Sequence, residues 1–216
     1  MSRTWMVAPL LFGLVAGCKD EPGSAGEKDP PKAAAPEKRS NVVNVSTALP
    51  PGKKVPCTKL LDVARLSAAL GKEVTLKDTS ATDSEAAAVC QIKLAGTPPS
   101  AKEQERMFND NDKKLGILPG DEICMVTAYC ALAFEVAEVK KKCEADGQNT
   151  STEIGLLTCV KSIEAGPDYR YIYSVIDGDS KCKLLVNPGP SVVDEATVKQ
   201  CAKVASDLIG PDQLKD

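Results

Sequence analysis

The C-terminal region carries the clearest helical pattern of the chain. Between Asp194 and Pro211, apolar residues recur at spacings of three and four; they are Val198, Cys201, Ala202, Ala205, Leu208 and Ile209. Asp194 is a natural N-cap, and Gly210 followed by Pro211 is a natural helix end. The pattern predicts a C-terminal helix with one apolar stripe, which needs another layer to cover it.

Three more segments have weaker helical patterns. One runs from 58 to 70 and stops at Gly71, and a second runs from 100 to 114 and opens with the capping-box sequence SAKE, 100–103. The third is ambiguous, because apolar residues from Met125 to Cys143 recur at helical spacings while CMVTAY, 124–129, also fits a strand. We favour a helix over 129–145 and keep, as the alternative, a strand that feeds a shorter helix.

Strand patterns occupy four other segments: AVCQIKL at 88–94, then 154–164, 169–176 and 181–186. The last three are separated by AGPD and DGDS, which are typical of hairpin turns. Helices mixed with closely connected strands predict an α+β fold, an antiparallel sheet with helices packed on one side. The fragments CQIKLAGTP and CVKSIEAGP are alike with one gap, which leaves a possible internal duplication.

Cysteine content adds covalent links to this fold. Of nine cysteines, Cys18 stands alone near the start, and eight lie in the predicted domain: Cys57, Cys90, Cys124, Cys130, Cys143, Cys159, Cys182 and Cys201. An even set in an exported domain predicts disulfides. A metal site is not expected, because the chain has no histidine and no C-x-x-C pair.

The connectivity of these disulfides stays open at the level of sequence. A strand cysteine facing a helix cysteine would join the two layers, and Cys182 with Cys201 and Cys57 with Cys90 are placed in this way. Cys124 and Cys130 should not pair with each other in a regular segment. Their Cα atoms would be about 20 Å apart in a strand or about 9 Å in a helix, against a limit of about 7 Å.

The N-terminal region has the order of an export signal. Arg3 precedes an apolar run from 5 to 16, and small residues follow it. As a helix the run would rise about 18 Å, too short for a hydrocarbon core of about 30 Å. Val15-Ala16-Gly17-Cys18 resembles the lipobox of bacterial lipoproteins. The resemblance implies that Cys18 carries the lipid anchor, and Lys19 in place of Asp favours the outer over the inner membrane. The alternative is an ordinary signal peptide with a chance cysteine.

These features divide the chain into three parts. Residues 1–17 are the predicted signal peptide, and 18–50 are the lipidated cysteine with a tether rich in Pro, Ala, Lys and Glu. That composition predicts disorder, although the valines of 41–49 allow this part to rest on the domain. Residues 51–216 form a single cysteine-rich α+β domain. Without the signal, 26 basic and 30 acidic residues give a net charge of −4, and no basic stripe predicts nucleic-acid binding.

Few residues have the pattern of a chemical site. Ser180 and Lys183 match S-x-x-K, but in a predicted hairpin rather than at a helix start, and NDND at 109–112 lacks the later acidic ligands of a calcium loop. We therefore predict no catalytic residue, metal or cofactor. Tyr169, Tyr171 and Tyr173 share one face of a strand and are the best candidates for ligand contact. The alternative, which we favour, is that they pack under a helix.

The sequence is compatible with two functions. The first is a membrane-anchored lipoprotein of the cell envelope, with its domain in the periplasm or at the cell surface. It would act as a non-catalytic module that binds or scaffolds a protein, peptide or glycan. The alternative is an exported hydrolase that uses paired carboxylates without histidine. The first is favoured because the domain has only six aromatic residues, few for the cleft of such a hydrolase.

Overall fold

A computed structural model describes residues 44–110, 116–166 and 168–215. Seven antiparallel strands form one sheet in the order β2-β3-β4-β9-β8-β7-β6. They are β2 (Val74–Asp78), β3 (Ala88–Leu94), β4 (Glu122–Tyr129), β6 (Asn149–Ser151), β7 (Leu157–Ala165), β8 (Asp168–Ile176) and β9 (Lys183–Pro188). A separate pair joins β1 (Asn44–Val45) to β5 (Phe134–Glu135). The predicted antiparallel α+β class is confirmed.

Six α-helices accompany the strands in the described ranges. They are α1 (Cys57–Leu60), α2 (Val63–Leu70), α3 (Ala101–Asp110), α4 (Val136–Ala145), α5 (Glu195–Leu208) and α6 (Pro211–Leu214). The C-terminal helix begins as predicted, because the Asp194 side chain accepts a hydrogen bond from the Thr197 N–H at 2.8 Å. Both predicted hairpins are also confirmed, since β7 pairs with β8 and β8 pairs with β9.

Two helix predictions need correction. The helix predicted over 58–70 is divided at Leu61 and Asp62, because the Asp62 side chain accepts from the Arg65 N–H at 2.9 Å and so starts a new helix. The helix favoured over 129–145 is wrong in its first part: β4 ends at Tyr129 and α4 begins at Val136. Strand β4 lies between β3 and β9, and this pairing on both edges overrides the helical spacing of its apolar residues.

The two faces of the sheet are covered differently. The face that we call the α5 face packs against α1, α2 and α5 and forms the larger core, with Cys90, Val126 and Leu184 at its centre. The opposite face, which we call the α4 face, carries a smaller cluster that includes Leu157, Cys159 and Ile176 of the sheet and Cys143 of α4. Helix α4 therefore departs from the predicted packing of helices on one side.

Four disulfides connect the eight domain cysteines, as the even count predicted: Cys57–Cys90, Cys124–Cys201, Cys130–Cys182 and Cys143–Cys159. The pair suggested for Cys57 and Cys90 is confirmed, and Cys124 and Cys130 do not pair with each other. The pair suggested for Cys182 and Cys201 is wrong. Cys124 lies on β4 beneath α5 and takes Cys201, while Cys182 opens β9 beside the end of β4 and takes Cys130.

The two similar fragments occupy corresponding places in the sheet. CQIKLAGTP lies on β3 and CVKSIEAGP on β7, and each is the second strand from an edge. In each, the cysteine is bonded to a helix, Cys90 to α1 and Cys159 to α4. The helices lie on opposite faces, as a two-fold axis along the central strand β9 would place them. The duplication itself stays a prediction.

The predicted signal peptide, 1–17, and the predicted lipidation site, Cys18, lie outside the described residues. Of the predicted tether, 18–50, only 44–50 is described. In that segment Val45 and Leu49 are buried, and Leu49 N–H donates to the Cys130 carbonyl at 3.1 Å, so this stretch rests on the domain. Across the described ranges, no helix has the length and apolarity that crossing a bilayer requires.

Candidate functional site

A groove of about 420 Å³ lies on the α4 face, where α4 stops short of covering β8 and β9. We call it the lysine groove and define it by Val139, Lys142, Lys161, Ile172, Lys183 and Leu185. Its volume is in the range of small-molecule sites. Three of the defining residues are lysines, and they come from three different elements.

The floor of the groove follows from the alternation of β8 and β9. Lys183, Leu185 and Asn187 are two residues apart on β9 and point to the same face, as do Ile172 and Ser174 on β8. Lys161 lies opposite Ile172 across the β7–β8 ladder. Lys183 and Lys161 therefore lie at opposite ends of the floor, and Leu185 and Ile172 lie between them beside Ser174.

One wall of the groove is α4, and a disulfide fixes its position. Cys143 is bonded to Cys159 of β7, with a Cα–Cα distance of 6.1 Å, so the helix cannot move away from the sheet. Val139 is one turn before Cys143 and Lys142 is adjacent to it, which places an apolar and a cationic side chain on the groove. Phe134 of β5 adds an aromatic side chain to the same wall.

The charges in the groove are unbalanced. Burial lowers the pKa of Lys183 from its ordinary value, and the positive charge of Lys142 lowers that pKa further. Within the described part of the chain, no ion pair joins Lys142, Lys161 or Lys183 to a carboxylate. Asp146 also lines the groove and forms no such pair there. In a chain with a net charge of −3, this local excess of positive charge favours an anion.

The three candidate tyrosines lie on the other face of the sheet. Tyr173 is 2% exposed, and its hydroxyl donates to Glu195 Oε1 of α5 at 2.8 Å. Burial and this hydrogen bond raise the pKa of Tyr173 well above its ordinary value. Tyr171 is half-buried against the same core, and Tyr169 is 50% exposed. The row thus runs from core to surface, and Tyr173 packs under α5.

The S-x-x-K pattern is part of the β8–β9 turn. Ser180 is buried, its N–H donates to Asp177 Oδ2 at 2.7 Å, and its hydroxyl accepts from the Cys182 N–H at 3.3 Å. Lys183 lies on β9 in the lysine groove. Ser180 therefore orders a turn, and the pattern does not begin a helix. The calcium-loop-like segment 109–112 lies partly outside the described residues. Among all residues that the structure describes, no group of three side chains could hold a metal ion.

Three further concave regions contain carboxylates, one of them along α3. In a groove of about 740 Å³ at the end of α5, Asp177 Oδ1 accepts from the Ser206 hydroxyl at 2.7 Å, so this carboxylate joins the turn to the helix. In a cleft of about 380 Å³, Asp121 and Glu122 lie together, and burial raises the pKa of Glu122 although Lys93 opposes that shift. No aromatic side chain is among the described residues that line this cleft.

No protein-family model matches this chain. Comparison with curated proteins and with solved structures also finds no match.

The lysine groove is the site that sequence patterns did not predict. Lys183 and Leu185 show the alternation of a strand face, but the same alternation is typical of any half-buried strand. The groove forms only because α4 lies on that face, and the Cys143–Cys159 disulfide places it there. Knowledge of that pair would have supplied the missing signal.

Proposed function

We propose that this protein is an exported, lipid-anchored envelope protein that acts as a non-catalytic binding module, with the lysine groove as its binding surface. Lipidation at Cys18 is inferred from the lipobox resemblance of 15–18. Four disulfides between buried cysteines support export, because such bonds form and persist in oxidising compartments.

The observation that carries the binding function is that Lys142, Lys161 and Lys183 line one groove whose floor also contains Leu185 and Ile172. Like charges on one partly buried site destabilise each other and the fold around them. Such an arrangement is useful where a ligand of opposite charge completes it. The groove contains one hydroxyl, Ser174, and no hydrogen bond among the described residues joins it to a base, which supports binding over covalent chemistry.

Membrane anchoring is tested by replacing Cys18 with Ser. We expect the wild-type protein to incorporate radiolabelled palmitate and to sediment with membranes, and the Cys18→Ser protein to lose the label and the sedimentation. Lys19→Ser is the matched control, because it changes the adjacent residue and keeps the thiol. Absence of label from the wild-type protein would rule out lipidation.

The binding surface is tested by NMR with a library of small charged compounds on isotope-labelled protein. We expect anionic members to shift the amide signals of β9, β8 and α4 around the groove, and cationic members to leave them unchanged. Anions whose shifts map elsewhere, or to no one surface, would overturn the assignment of the groove.

The alternative function, a hydrolase with paired carboxylates, would use the cleft of Asp121 and Glu122. The raised pKa of Glu122 suits a general acid, which is the observation in its favour. Repeating the NMR titration with neutral saccharides distinguishes the two functions, because saccharides that bind beside Glu122 would favour the hydrolase. Activity lost in Glu122→Gln would then replace the binding proposal.

A further inference from the structure

We propose that the lysine groove binds a small amphipathic anion, whose carboxylate or phosphate lies between Lys142 and Lys183 and whose apolar chain lies over Leu185 and Ile172. This inference rests on the proposed binding function and adds the chemical class of the ligand.

The position of the anionic group follows from the two lysines that are close enough to affect each other. Lys183 is half-buried on β9, and Lys142 approaches it from α4. Two ammonium groups, one from the floor and one from the α4 wall, can donate to separate oxygens of one carboxylate or phosphate. Such a ligand would neutralise the repulsion between them and replace the water that burial removes from Lys183.

The position of the apolar part follows from the register of the strands. Ile172 lies one position beyond the Tyr173–Val186 pair, so it faces Asn187, four residues along β9 from Lys183. The floor therefore extends about 13 Å along the strand, with Leu185 halfway. Val139 and Phe134 supply an apolar wall beside it. An unbranched alkyl chain of about that length would cover this surface.

Lys161 marks the far end of the floor, opposite Ile172. Its side chain is exposed, so its methylene stem can lie over the apolar chain while its ammonium group stays in water. The positive charge is stronger at the other end, where Lys142 and Lys183 lie together. The ligand is thus expected to have one charged end and to bind in one direction.

A polypeptide fits the groove less well. A peptide that extends a sheet needs a free strand edge, whereas β8 and β9 are paired on both sides. The groove is also closed on one side by α4, which the Cys143–Cys159 bond holds in place. A compact ligand with one acidic group fits these limits.

The test is calorimetric titration of the mature chain without its lipid, oxidised at all four disulfides, because detergent for the anchored form would compete for the groove. The probes are decanoate, decyl phosphate, acetate, inorganic phosphate and decyltrimethylammonium, each below its micelle concentration. We expect decanoate and decyl phosphate to bind at one site, and the other three to bind at least about tenfold more weakly. Decanoate and decyl phosphate together decide between carboxylate and phosphate as the preferred group.

The variant Lys142→Gln/Lys183→Gln should weaken the binding of decanoate and decyl phosphate at least about tenfold. Lys141→Gln/Lys203→Gln is the matched control, because these exposed lysines lie outside the groove and the loss of net charge is the same. Leu185→Ser should also weaken both probes and leave the affinity for inorganic phosphate unchanged.

Three results would overturn the inference. Equal loss in the control variant would show that net charge alone attracts the probes. Equal binding of decyltrimethylammonium would show that only the apolar floor is used. Hexaglutamate, titrated in the same way, is the peptide probe. Its binding at the groove, with no binding of either decyl anion, would refute the ligand class and leave the proposed binding function standing.

Discussion

At the scale of single residues, the tyrosines of β8 differ in what they stabilise. Tyr173 is buried beneath α5, so Tyr173→Ala removes a large apolar side chain from the core and the hydroxyl bonded to Glu195. We expect the free energy of unfolding to fall by about 3 to 5 kcal/mol. Tyr169→Ala, at an exposed position, should change it by less than about 0.5 kcal/mol.

Urea denaturation of both variants measures these changes. Equal losses at 169 and 173 would contradict the gradient of burial along the strand. Tyr169 and half-buried Tyr171 are exposed enough to contact a ligand. Tyr171→Phe tests such a contact with less loss of packing than Tyr171→Ala, because it removes only the hydroxyl.

Residue patterns predicted the tyrosine face but not its graded burial. The alternation of side chains along a strand places residues 169, 171 and 173 on one face, and this can be seen from the sequence. Their exposure depends on tertiary packing: Glu195 in the first turn of α5 bonds to the buried Tyr173, whereas Tyr169 is exposed. The exposure of each tyrosine is thus set by tertiary packing, for which the local sequence carries no signal.

At the scale of elements, the disulfides should contribute unequally to the free energy of unfolding. Cys124–Cys201 closes a sequence separation of 77 residues and Cys143–Cys159 one of 16. By loop-closure entropy alone, the two bonds are worth about 4.5 and about 3 kcal/mol. We expect Cys124→Ala/Cys201→Ala to lower the free energy of unfolding more than Cys143→Ala/Cys159→Ala does, each measured by chemical denaturation.

Loss of the Cys143–Cys159 disulfide should affect mainly the part of the structure around α4. Cys143 and Cys159 belong to the small cluster under α4, so their loss should speed amide hydrogen exchange in α4 while β4 and α5 stay protected. Uniform acceleration across the sheet would show that α4 does not unfold independently.

Helices and hairpins with local signals were predictable, and those decided by pairing were not. The α5 cap at Asp194 and the turn residues of DGDS act within a few positions, so their elements appear in the sequence pattern. Strand β4 has apolar spacings that fit a helix, and its two neighbours in the sheet decide the outcome. Strands β2 and β6 were missed because each is short and partly polar.

At the scale of the whole molecule, stability should fall at high pH. Burial and a 2.9 Å hydrogen bond to Asp83 Oδ2 raise the pKa of Tyr129 to about 12, and the pKa of Tyr173 is also raised. An unfolded tyrosine ionises near pH 10, so the unfolded state loses its proton first. The contribution of Tyr129 is fully present below about pH 10 and is lost as the pH rises through about 12.

Denaturation curves between pH 8 and 12 measure this loss. Tyr129→Phe/Tyr173→Phe should flatten the dependence of stability on pH in this window, and Tyr169→Phe should leave it as in the wild type. The same slope in all three proteins would assign the loss to other groups.

The edge strands of the large sheet affect how copies of the protein can associate. The outermost strands are β2, with Thr75, Lys77 and Asp78 exposed, and β6, which consists of Asn-Thr-Ser. A strand from a second copy would have to pair with β6, which is short and polar, or with β2, which carries an exposed lysine. Both features discourage edge-to-edge assembly. Copies concentrated on a surface should therefore remain separate molecules and should not grow into filaments.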